Sequence, residues 1–454
     1  MLTFINRGLD MPQDSGGSLA EFPVPPQVAL RHVQELMAAE RRQAAVADKA
    51  AETGKPASVG IIGAGVMGSF IAASAVRCGV PVVVVDKDEQ AVAAAPQRIA
   101  ARLNAATGGM PVPAETLGTL VQTSRDLAAA ARCPLVVESV VEELAVKVQL
   151  LGELEPLLAA DTIVASNTST LPLAKLSAPL RDPGRLCGCH FFLPIGQAPM
   201  IEIIRGEKTR PATIAAAVRF ANAIEHLPLV VADAPGFLVN RLLVPYLAEA
   251  MQLLTEGASV GQVEAAAEAF GMLLGPLRLL DEIGLDTALE CAWTMSGSSA
   301  DLVVRSPLLV AMVKAKQLGR KTQAGFFLYE GADTRPSRLN PALARALARW
   351  PQEPRPHTAD TIVLRLLMPM LQEATRMLQR GSVRDAGQID LAVTLGFGFP
   401  AARGGLLFWA DQLGAARIVE LFGTLQYLGP RAQPVPRLQE MAHSGASFYG
   451  KRQS

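Results

Sequence analysis

The sequence predicts an α/β protein: a doubly wound, mainly parallel sheet followed by two all-helical domains that are internal duplicates. Three observations carry this expectation. From Ser58 to Val231 short Val/Ile-rich runs alternate with Ala-rich stretches, the text of parallel strands joined by crossover helices. After Pro235-Gly236 the strand text stops and helical spacing takes over to the end. Within that helical part Arg241-Leu-Leu-Val-Pro245, Glu249 and Gly257 recur 124 residues later as Arg365-Leu-Leu-Met-Pro369, Glu373 and Gly381. Leu280-Asp281-Glu-Ile-Gly284 is answered, in a shifted register, by Ala410-Asp411-Gln-Leu-Gly414. Self-similarity of this kind marks a repeat.

The elements follow in order. The first 26 residues are rich in Gly, Pro and Ser and are expected to lie loose or extended. Residues 28–51 hold good helix formers at helical spacing, stopped by Gly54, Lys55 and Pro56. This helix is expected to pack on the body of the protein. Strands are expected at 58–62, 81–85, 134–138, 162–165, 185–192, 200–204 and 228–231, with helices between them. The domain boundaries are then an N-terminal extension and linker helix at 1–55, a sheet domain at 56–234, a first helical copy at 235–332 and a second at 358–454. The linker at 333–357 is rich in Pro and Arg.

Composition narrows the function. The 454 residues hold 42 basic and 42 acidic side chains, so the formal charge is zero. With no basic block, nucleic acid is not an expected partner, because such binding rests largely on phosphate neutralisation. Half the residues are hydrophobic and 19% are charged, a globular balance. The five cysteines (Cys78, Cys133, Cys187, Cys189, Cys291) show neither CxxC nor metal-ligand spacing. A reduced, cytoplasmic setting and no bound metal are expected. No run approaches the roughly 20 apolar residues of a membrane span, and the N-terminal text lacks the apolar core of a signal peptide.

Gly63-Ala-Gly65-Val-Met-Gly68 follows strand text and opens an Ala-rich helix. Gly63 permits a tight turn, Gly65 lets the backbone approach a pyrophosphate, and Gly68 lets helix and strand pack closely. The helix N-terminus adds partial positive charge. Asp86, ending a Val-only strand, is placed to accept hydrogen bonds from the adenosine ribose, so a Rossmann site for NAD rather than NADP is expected.

A second constellation comprises Ser166-Asn167-Thr168-Ser169-Thr170 at a strand end, His190, Glu202 and Asn240. Small hydroxyl and amide side chains at a strand's carboxyl end sit where doubly wound sheets hold ligands. A turn around Pro194, Gly196 and Pro199 brings His190 beside Glu202. A nicotinamide enzyme oxidising an alcohol must remove the hydroxyl proton as hydride leaves, and His is a natural base near neutral pH. A carboxylate on its other ring nitrogen fixes the tautomer. From the residues alone, His190 is either that base or a histidine satisfied within the sheet. Glu142-Glu143 and Lys147 open a helix after the strand at 134–138 and, from the residues alone, read first as a solvated face and only second as functional. His32, His226, His357 and His443 read as structural or surface residues.

Taken together these residues resemble the NAD-dependent L-3-hydroxyacyl-CoA dehydrogenases, most nearly the dehydrogenase part of the bacterial fatty-acid oxidation complex α-subunit. The likeness spans roughly residues 28–449 and rests on GAGVMG, VVESVVEELAVK, ASNTST, GCHFF, IEIIRGEK, DAPGFLVNRLL, GRKTQAGFF and, in the second copy, GFGFPAARGG. The resemblance implies that His190 is the catalytic base and Glu202 its partner. It implies that Ser169 and Asn240 hold the substrate's 3-oxygen and thioester region. It also places Glu142, Lys147 and Asn167 in the cofactor site with Gly63, Gly65, Gly68 and Asp86. Oxidation of (S)-3-hydroxyacyl-CoA in the manner of fatty-acid β-oxidation follows as the expected activity, without enoyl-CoA hydration because the hydratase domain is absent.

One motif departs from the family. Where HFFNP is usual, this chain has Leu193 between Phe192 and Pro194, and Leu193 supplies no amide hydrogen bond. Arg98 and Arg102 are the obvious basic candidates for CoA phosphates, and no CoA phosphate site is assigned. These two features motivate the rival readings: a non-CoA or carrier-bound 3-hydroxyacyl substrate, or an inactive cofactor-binding subunit. Single-copy members dimerise through their helical domains, and a fused second copy covers that surface, so a monomer or a homodimer is expected, with a thiolase as a possible partner.

Overall fold

In the computed structural model the described residues are 19, 24–48, 54–106, 113–192, 200–296, 306–331, 336, 338–350 and 357–450. Most of the N-terminal segment, residues 193–199 with Leu193, where a turn is expected, and much of the inter-copy linker lie outside them. The chain divides into two compact units: residues 37–194 with 199–237, and residues 1–36 with 195–198 and 238–454. The division falls within the first helix, α1 (Pro26–Asp48).

The first unit is an eight-stranded sheet. Its strands are β1 (Val59–Ile62), β2 (Val82–Val85), β3 (Val121–Ser124), β4 (Leu135–Glu138), β5 (Ile163–Ser166), β6 (Leu186–Phe191), β7 (Met200–Arg205) and β8 (Leu227–Ala232). They lie in the order β3-β2-β1-β4-β5-β6-β7-β8. All neighbours are parallel except β6 and β7. Strands such as VGII and LVVE are buried throughout, as expected where helices cover both faces. The crossovers are α2 (Val66–Arg77), α3 (Glu89–Ala106), α4 (Ala114–Leu120), α5 (Leu127–Ala131), α6 (Leu144–Leu154), α7 (Leu173–Leu176) and α8 (Pro211–Ala223). Strand β3 was not foreseen. Its text, VQTS, is mostly polar because it forms the half-exposed edge of the sheet.

The second unit is helical. Its principal helices are α9 (Val239–Thr255), α10 (Val260–Phe270), α11 (Pro276–Ile283), α12 (Leu285–Ser296), α13 (Pro307–Lys314), α14 (Pro341–Leu347), α15 (Ala359–Gln379), α16 (Ala386–Phe397), α17 (Leu406–Leu413), α18 (Ala415–Gly423) and α19 (Pro436–Ser444). Helices α9 and α15 carry the repeated Arg-Leu-Leu text, and each contains an internal proline, Pro245 and Pro369. Arg241 Nε donates to Glu373 Oε1 at 2.8 Å, and Arg365 Nε donates to Glu249 Oε1 at 2.6 Å. The repeat-equivalent residues thus exchange partners, as in an isologous two-fold contact. A second correspondence joins them. Asp281 accepts from the Phe326 and Phe327 amides, and Asp411 accepts from those of Phe448 and Tyr449. A two-residue hairpin, Phe327–Leu328 with Arg338–Leu339, is an unforeseen addition. In the same unit His32 of α1 stacks on Phe408 with ring centres 4.2 Å apart.

Among the described residues no helix is long and apolar enough to cross a membrane. None of their His, Cys, Asp and Glu side chains form a group of three or more able to hold a metal ion.

Candidate active site

The glycine-rich turn lies between β1 and α2. Gly63 has φ +107°, where L side chains are strained, and a Cβ there would lie 2.5 Å from the Ser139 carbonyl oxygen. A Cβ on Gly68 would lie 1.8 Å from the Gly63 carbonyl oxygen, whereas one on Gly65 would meet open space. The first and third glycines therefore close the turn, and the second leaves a cradle above it. No side chain caps the N-terminus of α2, whose opening amides and dipole suit a phosphate. Asp86 Oδ2 accepts from the Ala64 amide at 2.8 Å and Oδ1 from the Asp88 amide at 3.0 Å. Each carboxylate oxygen keeps a second lone pair for a ribose hydroxyl. These residues fit a dinucleotide. Arg98 Nη1 donates to the Ala64 carbonyl at 3.0 Å, and the Arg102 guanidinium lies over the Phe70 ring. Burial pushes the Arg102 pKa below its ordinary value.

Around the carboxyl ends of β4 and β5 runs a polar network. Glu138, the last residue of β4, is fully buried, as is Lys147 of α6. Lys147 Nζ donates to Glu138 Oε1 at 2.6 Å, and Ser166 Oγ donates to Oε2 at 2.6 Å. Lys147 also faces Glu142 Oε2 at 3.4 Å. Glu142 Oε1 accepts from Thr168 Oγ1 at 2.6 Å and from the Ser169 amide at 2.7 Å. Asn167 Nδ2 donates to Ser139 Oγ at 3.2 Å while its Oδ1 accepts from the Phe191 amide at 3.0 Å. Asn167 therefore ties the β4, β5 and β6 ends together. Glu138 escaped the sequence reading. The available signal was an acid closing the otherwise apolar strand LVVE, nine residues before a lysine.

Strands β6 and β7 set His190 opposite Glu202 in antiparallel register. His190 Nδ1 lies 2.7 Å from Glu202 Oε2, with Glu202 wholly buried and His190 5% exposed. Phe192 and Phe237 flank the imidazole, their ring centres 4.4 and 5.8 Å away. Glu142, Lys147 and Ser169 stand within one network, Asn167 beside it on its own bonds to Ser139 and Phe191, and His190 and Glu202 on the next strand pair. Asn240 belongs to the helical unit, in the first turn of α9. The repeat places Leu364 at the corresponding position of the second copy, so that copy lacks the amide.

A sheet with a histidine and its carboxylate at the carboxyl edge, and a turn shaped for a pyrophosphate, defines a dinucleotide-dependent dehydrogenase. Residues 58–234 match the NAD binding domain of 3-hydroxyacyl-CoA dehydrogenase, and residues 236–329 and 362–448 match its C-terminal domain. The chain belongs to the 3-hydroxyacyl-CoA dehydrogenase family and is an NAD-dependent oxidoreductase. Among solved structures it is similar to 3-hydroxybutyryl-CoA dehydrogenase from Escherichia coli K12, at 26% identity and TM-score 0.70 over 86% of this chain and 99% of that one. It is similar to the dehydrogenase part of multifunctional enzyme 1 from C. elegans, at 27% identity and TM-score 0.62 over 86% and 90%. M. tuberculosis FadB2 shares 36% identity at TM-score 0.57, over 61% of this chain and all of that one.

Proposed function

We propose that the protein interconverts (S)-3-hydroxyacyl-CoA and 3-oxoacyl-CoA, a step of the fatty-acid β-oxidation type, without hydrating enoyl-CoA. The carrying observation is the buried contact between His190 Nδ1 and Glu202 Oε2 at 2.7 Å. A carboxylate there accepts the Nδ1 proton and leaves Nε2 as the base. Bound NAD supplies the hydride acceptor. His190 Nε2 takes the proton of the substrate's 3-hydroxyl, and Glu202 stabilises the resulting imidazolium. Ser169 and Asn240 are assigned to the 3-oxygen and thioester region. Gly63, Gly65 and Gly68 are assigned to the pyrophosphate, Asp86 to the adenosine ribose, and Glu142 and Lys147 to the nicotinamide ribose. Asn167 contributes to the same pocket chiefly by holding three strand ends in place.

The helical region is proposed to be two copies of one domain, at 235–332 and 358–454, following the 1–55 extension and the 56–234 dinucleotide domain. The exchanged Arg–Glu pairs and the two matched segments support this reading.

Purified protein with acetoacetyl-CoA and NADH, followed at 340 nm, tests the assignment. Turnover that disappears in His190→Ala is expected; no turnover, or undiminished turnover in the variant, refutes it. A carrier-bound or free-acid 3-hydroxyacyl substrate is the second reading. It is favoured by Arg98 and Arg102, both of which are engaged with the α2 region. A panel of CoA, carrier-protein and free-acid forms separates the two.

A further inference from the structure

We propose that Glu138 is a positioning residue of the cofactor pocket. It shares the Lys147 ammonium with Glu142, and so leaves Glu142 able both to hold the Ser169 turn and to accept a hydrogen bond from a ligand hydroxyl. The inference rests on the assignment of Glu142 and Lys147 to the cofactor's nicotinamide ribose.

The geometry gives each oxygen a separate duty. Glu138 Oε1 accepts from Lys147 Nζ at 2.6 Å and from the Val140 amide at 2.8 Å, and Oε2 accepts from Ser166 Oγ at 2.6 Å. Its charge is thereby held rigidly from three sides. Glu142 Oε1 is taken up by Thr168 Oγ1 and the Ser169 and Thr170 amides. Its Oε2 faces Lys147 across 3.4 Å, longer than the 2.6 Å bond that Lys147 makes to Glu138. The Glu142 side chain is 24% exposed, while those of Lys147 and Glu138 are closed off. One carboxylate thus keeps the ammonium close, and the other stays accessible.

A buried ion pair is not needed to hold this sheet. The residues paired with Glu138 are Ile62 on β1 and Ser166 on β5, and well-packed apolar side chains stabilise such a site at least as well. The charge therefore serves placement, at the strand edge where ligands bind. With Glu138 neutralised, the ammonium is drawn closer to Glu142 Oε2, takes up one of its lone pairs and pulls the carboxylate out of the orientation in which it meets a ligand hydroxyl.

Fluorescence titration of the full-length protein with NADH tests this. Glu138→Gln preserves shape and is expected to weaken NADH binding about tenfold, leaving half-saturating acetoacetyl-CoA within about twofold. It also lowers the melting temperature, because the buried Lys147 loses its close charge partner, so circular dichroism at the titration temperature checks that the variant is folded. In a Lys147→Met background Glu138→Gln is expected to have no further effect on NADH affinity, because it acts through the ammonium. Wild-type affinity in Glu138→Gln overturns the proposal, as does an undiminished tenfold weakening in the Lys147→Met background. Should Glu138→Gln not fold, Ser166→Ala loosens the same carboxylate, with about threefold weaker binding expected and wild-type affinity overturning the idea. Failure of the wild-type protein to bind NADH would instead refute the pocket assignment itself, before any variant is compared.

Discussion

Glu202→Gln is the sharpest probe of the proposed proton transfer. The substitution keeps the side chain's shape at a wholly buried position and removes its charge. With the amide oxygen toward Nδ1, the imidazole keeps its tautomer and the 2.7 Å contact, but the imidazolium formed by proton uptake loses a charged partner. A hydrogen bond to a charged group contributes about 1.5–3 kcal/mol, and about 1.4 kcal/mol is a factor of ten in rate. The turnover number should therefore fall about 10- to 150-fold. With the amide nitrogen toward Nδ1, the ring carries its proton on Nε2 and the loss is larger, on the order of 10⁴-fold. NADH affinity, assigned to other residues, should stay within about twofold. Stopped-flow oxidation of NADH by acetoacetyl-CoA, with a separate NADH titration, measures both. A turnover number within about threefold of wild type would show that Glu202 does not stabilise a charge on His190. Equal losses in turnover and NADH affinity would show that the substitution deforms the sheet instead.

Other expectations concern the turn, the buried pairs and the acids. Gly68→Ala sets a Cβ 1.8 Å from the Gly63 carbonyl oxygen, so NADH binding should weaken by more than about 100-fold while the helical unit melts normally; titration with calorimetry checks both. Arg241→Met takes the close partner from the buried Glu373 carboxylate and leaves it with Arg376 at 3.8 Å, so it should cost about 3 kcal/mol in urea unfolding, against less than about 1 kcal/mol for the exposed Arg417→Met. Burial raises the pKa of Glu264 to about 7, of Asp281 to about 6 and of Asp390 to about 7. The folded state then holds protons that the unfolded chain releases above about pH 4. Stability is fully present below that point and should decline as pH rises through 7, by about 3 kcal/mol each for Glu264 and Asp281 and about 4 kcal/mol for Asp390. Melting at pH 5, 6, 7 and 8 checks the sign, and a melting temperature that climbs across this range contradicts it.

The sheet was legible because period and composition carry it: an all-valine β2 and a glycine turn before an Ala-rich helix have few other uses. Strand β3 was not, because an edge strand needs only one packed face and Val121 alone supplies it. The His190–Glu202 pairing was within reach, since two strands separated by one turn bring residues 12 apart opposite each other. The partners of Glu142 were not, because they come from the loop that follows β5, 26 to 28 residues away. Asn167 illustrates the same limit from the other side. Its position at a strand end was readable, but its two bonds to Ser139 and Phe191 depend on β4 and β6 flanking β5, an order no local spacing records.

The exchanged arginine–glutamate pairs of α9 and α15 have a consequence for how the helical unit responds to dilution. A two-fold contact between separate chains dissociates by mass action, and its occupancy falls with concentration. Here both halves are on one chain, and the covalent link holds each at a high effective concentration for the other. The contact is therefore as complete at nanomolar as at micromolar protein. The link also frees the halves from identity. In a symmetric pair every substitution is made twice, whereas here Asn240 stands in one copy and Leu364 in its counterpart.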